Sequence, residues 1–369
     1  MRKAAAPAWV SAEGPGTDVA LSTRARLARN IEGRPFPRKA KESDFRRVAD
    51  LALAAIYSDG AEQRFGRLRV IDPTRIRETA ERLALVDTQV ASRQHVDGGK
   101  YRPIVLNETG TLSLMVNEED HLRIQCILPG LQPMTALQMA QEFDAFLAGK
   151  IAYARTDNYG YLTSSLANIG TGLRLSVMLH VAGLSFLGEA VPALTAATEL
   201  KIAVRGLFGE GTRAFGDIFQ VSNETTFGFS EKEITTRVRA AVEHLISREH
   251  EARDRLASEK KTELGEAVEA VRRAVMDARS LTDREAMACL SLLRLGSELA
   301  LGPNLSAKTF NELLVSIGLG ARAGRTSRVI MSDVKRARLV REKLIEEFSA
   351  VQLTLSEEEP EQHGERLTK

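Results

Sequence analysis

The pattern of apolar and polar positions divides the chain into two parts that meet near Phe229. In the first part, short apolar runs alternate with helical patterns. The runs at residues 103–106, 111–116 and 122–128 are separated by turn-forming or charged residues, which predicts an antiparallel meander of three strands. Apolar residues at helical spacing predict a helix over residues 135–150.

Further along the first part, strands are predicted over residues 201–206 and 217–222, with a glycine-containing loop at 207–212 between them. The strongly apolar residues 175–184 predict a helix.

The second part has a helical pattern almost throughout. Helices are predicted to begin at Ser230 and at Thr282, each of which has a glutamate three residues later as in a capping box. Another helix is predicted over residues 310–317, and a last one from Ser332 to about Phe348. The residues from 356 to 369 are polar, and we expect them to be disordered.

The composition of the chain argues against several classes of protein. The 369 residues include 51 Lys and Arg against 49 Asp and Glu, a formal charge of +2, which gives no electrostatic argument for nucleic-acid binding. No apolar run reaches the ~20 residues of a membrane span, and the first residues lack the apolar core of a signal peptide. The two cysteines, Cys126 and Cys289, are far apart, and the six histidines form no metal-binding pair. We therefore expect a cytoplasmic protein that supplies no metal site of its own.

The first chemically informative segment, residues 22–30, carries closely spaced arginines. In a strand, Arg24 and Arg26 point to the same face, where their charges repel unless an anion lies between them. Guanidinium groups bind phosphate oxygens bidentately, so a polyphosphate suits this position. The alternative is a solvated arginine-rich edge.

The second segment, Asn-Glu-Glu-Asp at residues 117–120, places acids at a strand end shortly before Arg123. A carboxylate here would hold or deprotonate a cationic substrate while Arg123 faces an anion. An ordinary acidic hairpin tip is the alternative.

Two glycine-containing segments follow. Gly170-Thr171-Gly172 precedes Arg174, and glycines ahead of a helix N-terminus suit a phosphate group. In the second, Arg205 is followed by Glu210, which lies between two glycines on a loop that would close over a substrate. A glycine-rich surface turn is the alternative.

Together these segments supply five arginines for an anion and two carboxylates for a cation. That combination suits phosphoryl transfer from a nucleotide to a basic nitrogen, in which the arginines and Mg²⁺ neutralise the phosphoryl oxygens.

The segments, in this order and at this spacing, resemble the phosphagen (guanidino) kinase family, in particular bacterial protein-arginine kinases of the McsB type. The resemblance rests on residues 22–37 (STRARLARNIEGRPFP), 117–125 (NEEDHLRIQ), 159–184 and 205–228 (RGLFGEGTRAFGDIFQVSNETTFG). It implies an α+β fold, with an antiparallel sheet flanked by helices and then an all-helical C-terminal domain. The implied boundaries are a catalytic domain at 1–252, a helical domain at 253–352 and a disordered tail at 353–369.

The resemblance also implies roles for individual residues. Glu119 would hold the target guanidinium and act as base with Glu210 as its partner, and Ser165 would lie in the substrate pocket. Mg²⁺ would be held mainly by the phosphates of ATP. The implied ATP-binding residues are Ser22, Thr23, Arg24, Ala25, Arg26, Gln89, Arg123, Arg174, Leu175, Ser176, Val177, Met178, Arg205, Gly206, Leu207, Phe208 and Gly209.

Two features favour arginines of proteins as the substrate. Small-molecule members of the family carry a helical domain of roughly a hundred residues before the motif that begins here at Ser22, so we expect a more open active site. The C-terminal helical extension resembles that of the McsB type. It would form a homodimer and bind phosphoarginine through Asp333 and Arg336. The implied partners are protein substrates, a zinc-bearing activator and a Clp-type protease.

Three positions depart from the family pattern. Ser165 stands where the family has a cysteine, and a serine cannot ionise near neutral pH, so we expect a slower enzyme. Gln89 replaces a nucleotide-contacting histidine of the McsB type. Ser332 replaces the first arginine of the phosphoarginine-sensing motif, which removes a bidentate phosphate donor.

Two alternatives remain open at this point. One is a kinase for free arginine or another small guanidine. The other is a phosphoarginine-binding adaptor that has lost catalysis, an idea prompted by Ser165 and Gln89.

Overall fold

The computed structural model describes residues 6–199, 201–206, 214–317 and 331–357. Its central feature is an eight-stranded antiparallel sheet with strand order β2-β3-β4-β5-β1-β8-β10-β9. The strands of this sheet are β1 Ala20–Arg29, β2 Leu68–Ile71, β3 Ile104–Asn107, β4 Leu112–Val116, β5 Leu122–Pro129, β8 Leu173–His180, β9 Ile202–Gly206 and β10 Ile218–Asn223; β6 Arg155–Thr156 and β7 Gly160–Tyr161 form a separate ribbon.

Helices precede, interrupt and follow the sheet along the chain. They are α1 Ala8–Ser11, α2 Glu42–Ile56, α3 Ala61–Phe65, α4 Thr79–Asp87, α5 Arg93–Val96, α6 Pro133–Ala148, α7 Ala182–Phe186, α8 Ala190–Glu199, α9 Glu231–Glu259, α10 Lys261–Asp277, α11 Asp283–Glu298, α12 Ala307–Ser316 and α13 Asp333–Glu357.

One face of the sheet is apolar and forms the first hydrophobic core. Ala25 and Leu27 of β1 and Val177 of β8 are completely buried there, together with residues of α2, α6, α8 and α9. Because side chains alternate along a strand, burying these residues turns the intervening ones to the opposite face.

The predicted meander is confirmed as β3, β4 and β5, and the strands predicted near 201–206 and 217–222 are β9 and β10. Both capping boxes are confirmed as well. The Ser230 hydroxyl accepts a hydrogen bond from the Glu233 amide (3.2 Å) and the Glu233 carboxylate accepts one from the Ser230 amide (2.8 Å). Thr282 and Glu285 repeat this arrangement at the start of α11.

The helix predicted over residues 175–184 is wrong. This segment forms most of β8, and only the short α7 is helical. Leu175, Val177 and Leu179 enter the first core while Arg174 and Ser176 pair with positions of β1 that face the other way. The segment therefore has the two-residue period of a strand, and its high apolar content comes from its central place in the sheet.

The last helix continues to Glu357, beyond the predicted end at Phe348, and residues 358–369 of the predicted disordered tail lie outside the described part of the chain. The proposed boundary between residues 252 and 253 falls inside α9. Ala252 belongs to the first core and Leu256 to a second one, so this helix runs through both regions.

The second core joins the C-terminal helices to the other face of the sheet. It contains residues of α10 to α13 together with Leu21, Ile127, Met178 and Ile218 of the sheet. Trp9 of α1 is buried in the same core, donates to the Thr88 carbonyl (2.9 Å) and accepts from Asn311 of α12 through its own carbonyl (3.2 Å). Within the described residues, no helix combines the length and apolar character needed to cross a bilayer.

A buried ion pair fixes the C-terminal end of β1 against α6. Arg29 is 1% exposed and donates to both carboxylate oxygens of Asp144, with a shortest distance of 2.7 Å. Its guanidinium also donates to the Ala28 and Thr171 carbonyls and lies 3.6 Å from the centre of the Tyr161 ring.

We expect Asp144→Asn to lower the free energy of unfolding by about 3 kcal/mol, because it leaves a buried guanidinium without its main counter-charge. The matched control is Glu243→Gln, which breaks an exposed pair with Arg239 on α9 and is expected to cost less than about 1 kcal/mol. Urea unfolding followed by circular dichroism measures both. Equal losses in the two variants would contradict a structural role for the buried pair.

Candidate active site

The register of the sheet brings all five predicted phosphate-binding arginines to one face. Directly paired positions of neighbouring antiparallel strands share a face. Arg26 pairs with Arg174 of β8, and Arg123 of β5 pairs with Ala28, two residues further along β1. Arg205 of β9 reaches the same face through its pairing with Gln220 of β10, which pairs with Met178 of β8.

These arginines are mutually unfavourable in the absence of an anion. Burial, followed by the positive charges of Arg123 and Arg174, lowers the pKa of Arg24. Burial and the neighbouring guanidiniums also lower the pKa of Arg26 and of Arg174. Among the described residues, the Nε atoms of Arg24, Arg26 and Arg174 have no hydrogen-bond partner. Buried donors of this kind, gathered around one surface, suit a polyanionic ligand.

Glu118 is a counter-charge within this cluster. Its carboxylate lies 2.5 Å from the Arg123 guanidinium and accepts hydrogen bonds from the Ser92 hydroxyl (2.6 Å) and the Glu119 amide (2.9 Å). Burial by itself raises the pKa of Glu118, but Arg123 and these hydrogen bonds lower it to about 2. Glu118 is therefore ionised, and it holds Arg123 in place.

Sequence reasoning did not identify Glu118 or Ser92 as contributors to the site. Glu118 lies inside the Asn-Glu-Glu-Asp segment, where the resemblance to the family assigns a role to Glu119 only. Ser92 is the N-cap of α5. Its position before a short helix is a sequence signal for capping, but not for contact with a carboxylate 26 residues away.

The acidic turn between β4 and β5 is held by its polar side chains. Asn117 has a positive φ of 61°, which asparagine tolerates, and its amide donates to the Phe45 and Tyr101 carbonyls. Asp120 accepts from the Asn30 side chain (2.7 Å) and from the Ser164 amide (2.6 Å). Glu119, between these anchors, is half-buried, and no described residue bonds its carboxylate.

The contact between Asp120 and Ser164 brings the predicted substrate-pocket residue beside the acidic turn. Ser165 follows Ser164 and precedes a short 3₁₀ turn, Leu166–Asn168. Its carbonyl accepts from the Thr163 hydroxyl (2.7 Å), which fixes the backbone of this segment. Glu119 and Ser165 thus lie on adjoining loops at the C-terminal end of β1.

The two glycines of the Gly-Thr-Gly segment serve close backbone packing. Both have positive φ, and a Cβ would lie 2.6 Å from the Thr226 carbonyl oxygen at Gly170 and 2.6 Å from the Ala28 carbonyl oxygen at Gly172. The strand β8 follows them. The prediction of a helix N-terminus that favours a phosphate at this segment is therefore wrong, because the run after Arg174 pairs with β1.

The other predicted nucleotide contacts divide between the two faces. Ser22 and Ser176 share the arginine face with Met178, and Gln89 contacts the Met178 sulfur (3.8 Å) at the same face. The side chains of Thr23, Ala25, Leu175 and Val177 lie on the opposite face, where Thr23 bonds the Gly130 carbonyl and the other three enter the first core. Gly206 ends β9, while Leu207, Phe208, Gly209 and Glu210 lie outside the described residues.

The pair expected to sense phosphoarginine lies in the helical region. Arg336 is completely buried, pairs with Asp333 (2.6 Å) and donates to the Leu281 and Met331 carbonyls. These bonds attach the start of α13 to the segment before α11. The guanidinium is thus already engaged within the protein, and its role in sensing stays a prediction.

The described residues include no group of three or more His, Cys, Asp or Glu side chains placed to hold a metal ion.

Two family models match this chain. The model of the ATP:guanido phosphotransferase C-terminal catalytic domain matches residues 50–252, and that of the protein-arginine kinase McsB C-terminal domain matches residues 264–358.

Similar proteins cover nearly the whole chain. It is 39% identical over 339 residues to the protein-arginine kinase of Moorella thermoacetica, a match that spans 91% of this chain and 97% of the relative. It is 37% identical over 344 residues to the protein-arginine kinase of Geobacillus stearothermophilus, with 92% and 94% covered.

Solved structures support the fold. Lombricine kinase matches with a TM-score of 0.56 at 22% identity, covering 67% of this chain and 70% of its own. The substrate-free duplicated taurocyamine kinase from Schistosoma mansoni matches with a TM-score of 0.56 at 22% identity, covering 73% of this chain and 40% of its own.

The arginine face, the acidic turn and the matches over about nine-tenths of the chain agree: the chain belongs to the ATP:guanido phosphotransferase family and carries the C-terminal domain of its protein-arginine kinases.

Proposed function

We propose that the chain is an ATP-dependent protein-arginine kinase, which transfers the γ-phosphoryl group of ATP to arginine guanidinium groups of proteins. The observation that carries the proposal is the gathering of five arginines on one sheet face, with an acidic turn at one end of the same strands. The similarity to protein-arginine kinases over more than nine-tenths of the chain supports the choice of substrate.

The arginines would bind the phosphates of ATP. Arg24, Arg26 and Arg174 have free Nε donors among the described residues and face one another across two paired strands. An anion between them replaces repulsion with charge-assisted hydrogen bonds, and it stabilises the negative charge on the transferred group. Mg²⁺, held mainly by the phosphates, would supply further neutralisation when bound.

Glu119 would receive the target guanidinium. Its carboxylate, which no described residue bonds, would attract the cation and orient one nitrogen towards the phosphoryl group. It would take the proton of that nitrogen as the N–P bond forms and the bond to the leaving ADP oxygen breaks. Glu210, which lies outside the described residues, would assist as its partner, as the resemblance to the family implies. Glu118 cannot play this role because it is committed to Arg123 and Ser92.

Other parts of the proposal follow from similarity to the family alone. The helical domain would form a homodimer and take phosphoarginine near Asp333 and Arg336. The protein would act in the cytoplasm, with a zinc-bearing activator, and mark its substrates for a Clp-type protease.

The decisive test is an assay with Mg²⁺, ATP and unfolded casein, with free arginine in parallel, followed by ³¹P NMR for an acid-labile phosphate on arginine. We expect phosphorylation of casein, and a loss of at least about 100-fold in kcat for Glu119→Gln, because the base is removed. Glu108→Gln, an exposed acid on the neighbouring β3–β4 turn, is the matched control and should leave the rate unchanged.

The other outcomes of this assay separate the alternatives. Product on free arginine alone would identify a small-molecule guanidino kinase. ATP binding without any product, with or without an added activator, would identify an adaptor that has lost catalysis. Full activity of Glu119→Gln would refute the assigned role of Glu119.

A second prediction concerns how far the arginine cluster destabilises the unliganded folded protein. We expect Arg26→Met to raise the melting temperature of the unliganded protein by roughly 2 °C. The substitution replaces a partly buried guanidinium, whose Nε has no hydrogen-bond partner among the described residues, by an apolar side chain of similar volume. ATP at 100 times its Kd should stabilise the wild type by about 2.7 kcal/mol and should leave the variant unshifted. Differential scanning calorimetry checks both effects. Arg69→Met, at an exposed arginine of the edge strand β2, is the control and should keep the ATP shift.

A third prediction concerns Ser165. We expect Ser165→Cys to raise kcat several-fold, with a larger gain at higher pH, because a thiolate beside the guanidinium helps to balance its charge. The pH profile of kcat on casein measures this effect. Ser247→Cys, on the exposed side of α9, controls for the added thiol. An equal change of kcat in both variants would contradict the placement of Ser165 in the substrate pocket.

A further inference from the structure

A pocket of about 420 Å³ lies next to the Ser165 turn, outside the arginine cluster. Its walls include four aromatic side chains, those of Tyr159, Tyr161, Phe227 and Phe229, together with glycine and polar residues and the charged Arg155 and Glu231. Neither the arginines of the sheet nor Glu119 lines it, so the proposed phosphoryl transfer does not account for it.

The pocket is a preformed feature of the fold. Tyr161 packs edge-to-face on Tyr153, with 6.0 Å between ring centres, and carries the Arg29 guanidinium on its ring. Phe229 carries the Arg237 guanidinium 3.9 Å from its ring centre. The backbones around the pocket pack tightly, because a Cβ on Gly160 would lie 2.6 Å from the Gly170 carbonyl oxygen.

The rim of the pocket leaves large apolar side chains in water. Tyr159 is 55% exposed, Phe227 is 52% exposed, and Leu166 on the adjoining turn is 84% exposed. The rings of Tyr159 and Phe227 lie 6.4 Å apart at an angle of 33°, side by side at the entrance. Exposed apolar groups clustered around a cavity are typical of a binding surface.

The rim is continuous with the loops that carry the acceptor side of the active site. The Thr226 hydroxyl, next to Phe227, lies 2.6 Å from the Ile169 carbonyl and 3.1 Å from the Ala167 carbonyl, which belong to the turn after Ser165. Ser164, the residue before Ser165, donates a hydrogen bond from its amide to Asp120 of the acidic turn. The predicted nucleotide contacts Gln89 and Met178 lie towards the opposite end of β1, where Met178 pairs with Ser22.

We propose that this pocket binds an apolar side chain of the substrate polypeptide, close in sequence to the arginine that is phosphorylated. The inference rests on the proposed function. An arginine attached to a chain brings its neighbours over the Ser165 turn when its guanidinium reaches Glu119, and the surface it meets there is Leu166, Tyr159 and Phe227. Such side chains are accessible in unfolded polypeptides and mostly buried in folded ones, so the pocket favours arginines that lie beside an accessible apolar residue.

The test uses peptides with one arginine in a Gly/Ser background and a single leucine placed in turn at each position from four residues before to four residues after it. For the wild type, we expect kcat/KM to rise about tenfold at one or two of these positions, the effect of burying one apolar side chain. In Tyr159→Ser and Phe227→Ser, the ratio between the best leucine peptide and the Gly/Ser peptide should fall towards one. Tyr57→Ser, which removes a 71% exposed ring after α2, should keep the wild-type ratio.

A binding measurement separates this inference from the proposed function. A fluorescent copy of the best leucine peptide, with glutamine in place of arginine, should bind the wild type about ten times more tightly than Phe227→Ser, and saturating ATP should not displace it. If no substrate is phosphorylated, the proposed function fails, and peptides from the same scan with glutamine in place of arginine still test the pocket. Three results would each overturn the inference. The first is a wild type whose kcat/KM or binding affinity does not depend on the position of the leucine. The others are an unchanged leucine preference in both pocket variants and displacement of the peptide by ATP.

Discussion

Repulsion between guanidinium groups on the central strands is the interaction around which this molecule is organised. Arg24 and Arg26 of β1 lie beside Arg174 of β8, and burial makes their shared charge more costly. The opposite sides of the same strands are completely buried and, apart from Thr23, apolar. Because side chains alternate, the register that buries Ala25 and Leu27 also gathers the arginines. The hydrophobic effect in the first core therefore stabilises a cluster that electrostatics alone would disperse.

The charge of this cluster is only partly balanced by the protein. Glu118 neutralises Arg123 and is itself fixed by Ser92, while the Nε donors of the other central arginines stay free among the described residues. A protein optimised only for stability would replace these groups or pair them. The imbalance is useful for phosphoryl transfer, because the charges that the nucleotide needs are already in position before it binds.

The two ends of the central strands are built differently. At the C-terminal end of β1, Asn30, Asp120 and Ser164 join three segments through short hydrogen bonds, so that Glu119, Ser165 and the aromatic pocket share one rim. At the other end, Leu21 and Met178 belong to the second core. The helical region thus packs directly against the strands that carry the arginines.

Several features of this protein follow from local rules of sequence. Alternating patterns predicted the meander, capping boxes predicted the starts of α9 and α11, and the spacing of Arg24 and Arg26 predicted a shared face. The same rules failed at residues 175–184, because a central strand buried by two cores is nearly as apolar as a buried helix. Burial against both cores, rather than local propensity, decided that segment.

The sequence by itself determined the chemistry that the site offers, because residue type sets charge, pKa and hydrogen-bonding capacity. The tertiary structure alone decided how these groups are used. Glu118 rather than Glu119 is paired with Arg123. Arg336 is buried and donates hydrogen bonds to backbone carbonyls. The rings of Tyr159 and Phe227 lie side by side at a pocket. The contacts that decide these roles join segments far apart in the chain, such as Asn30 and Asp120, which are 90 positions apart. Such contacts leave no periodic trace in either segment, since they depend on strand order and register rather than on neighbouring residues.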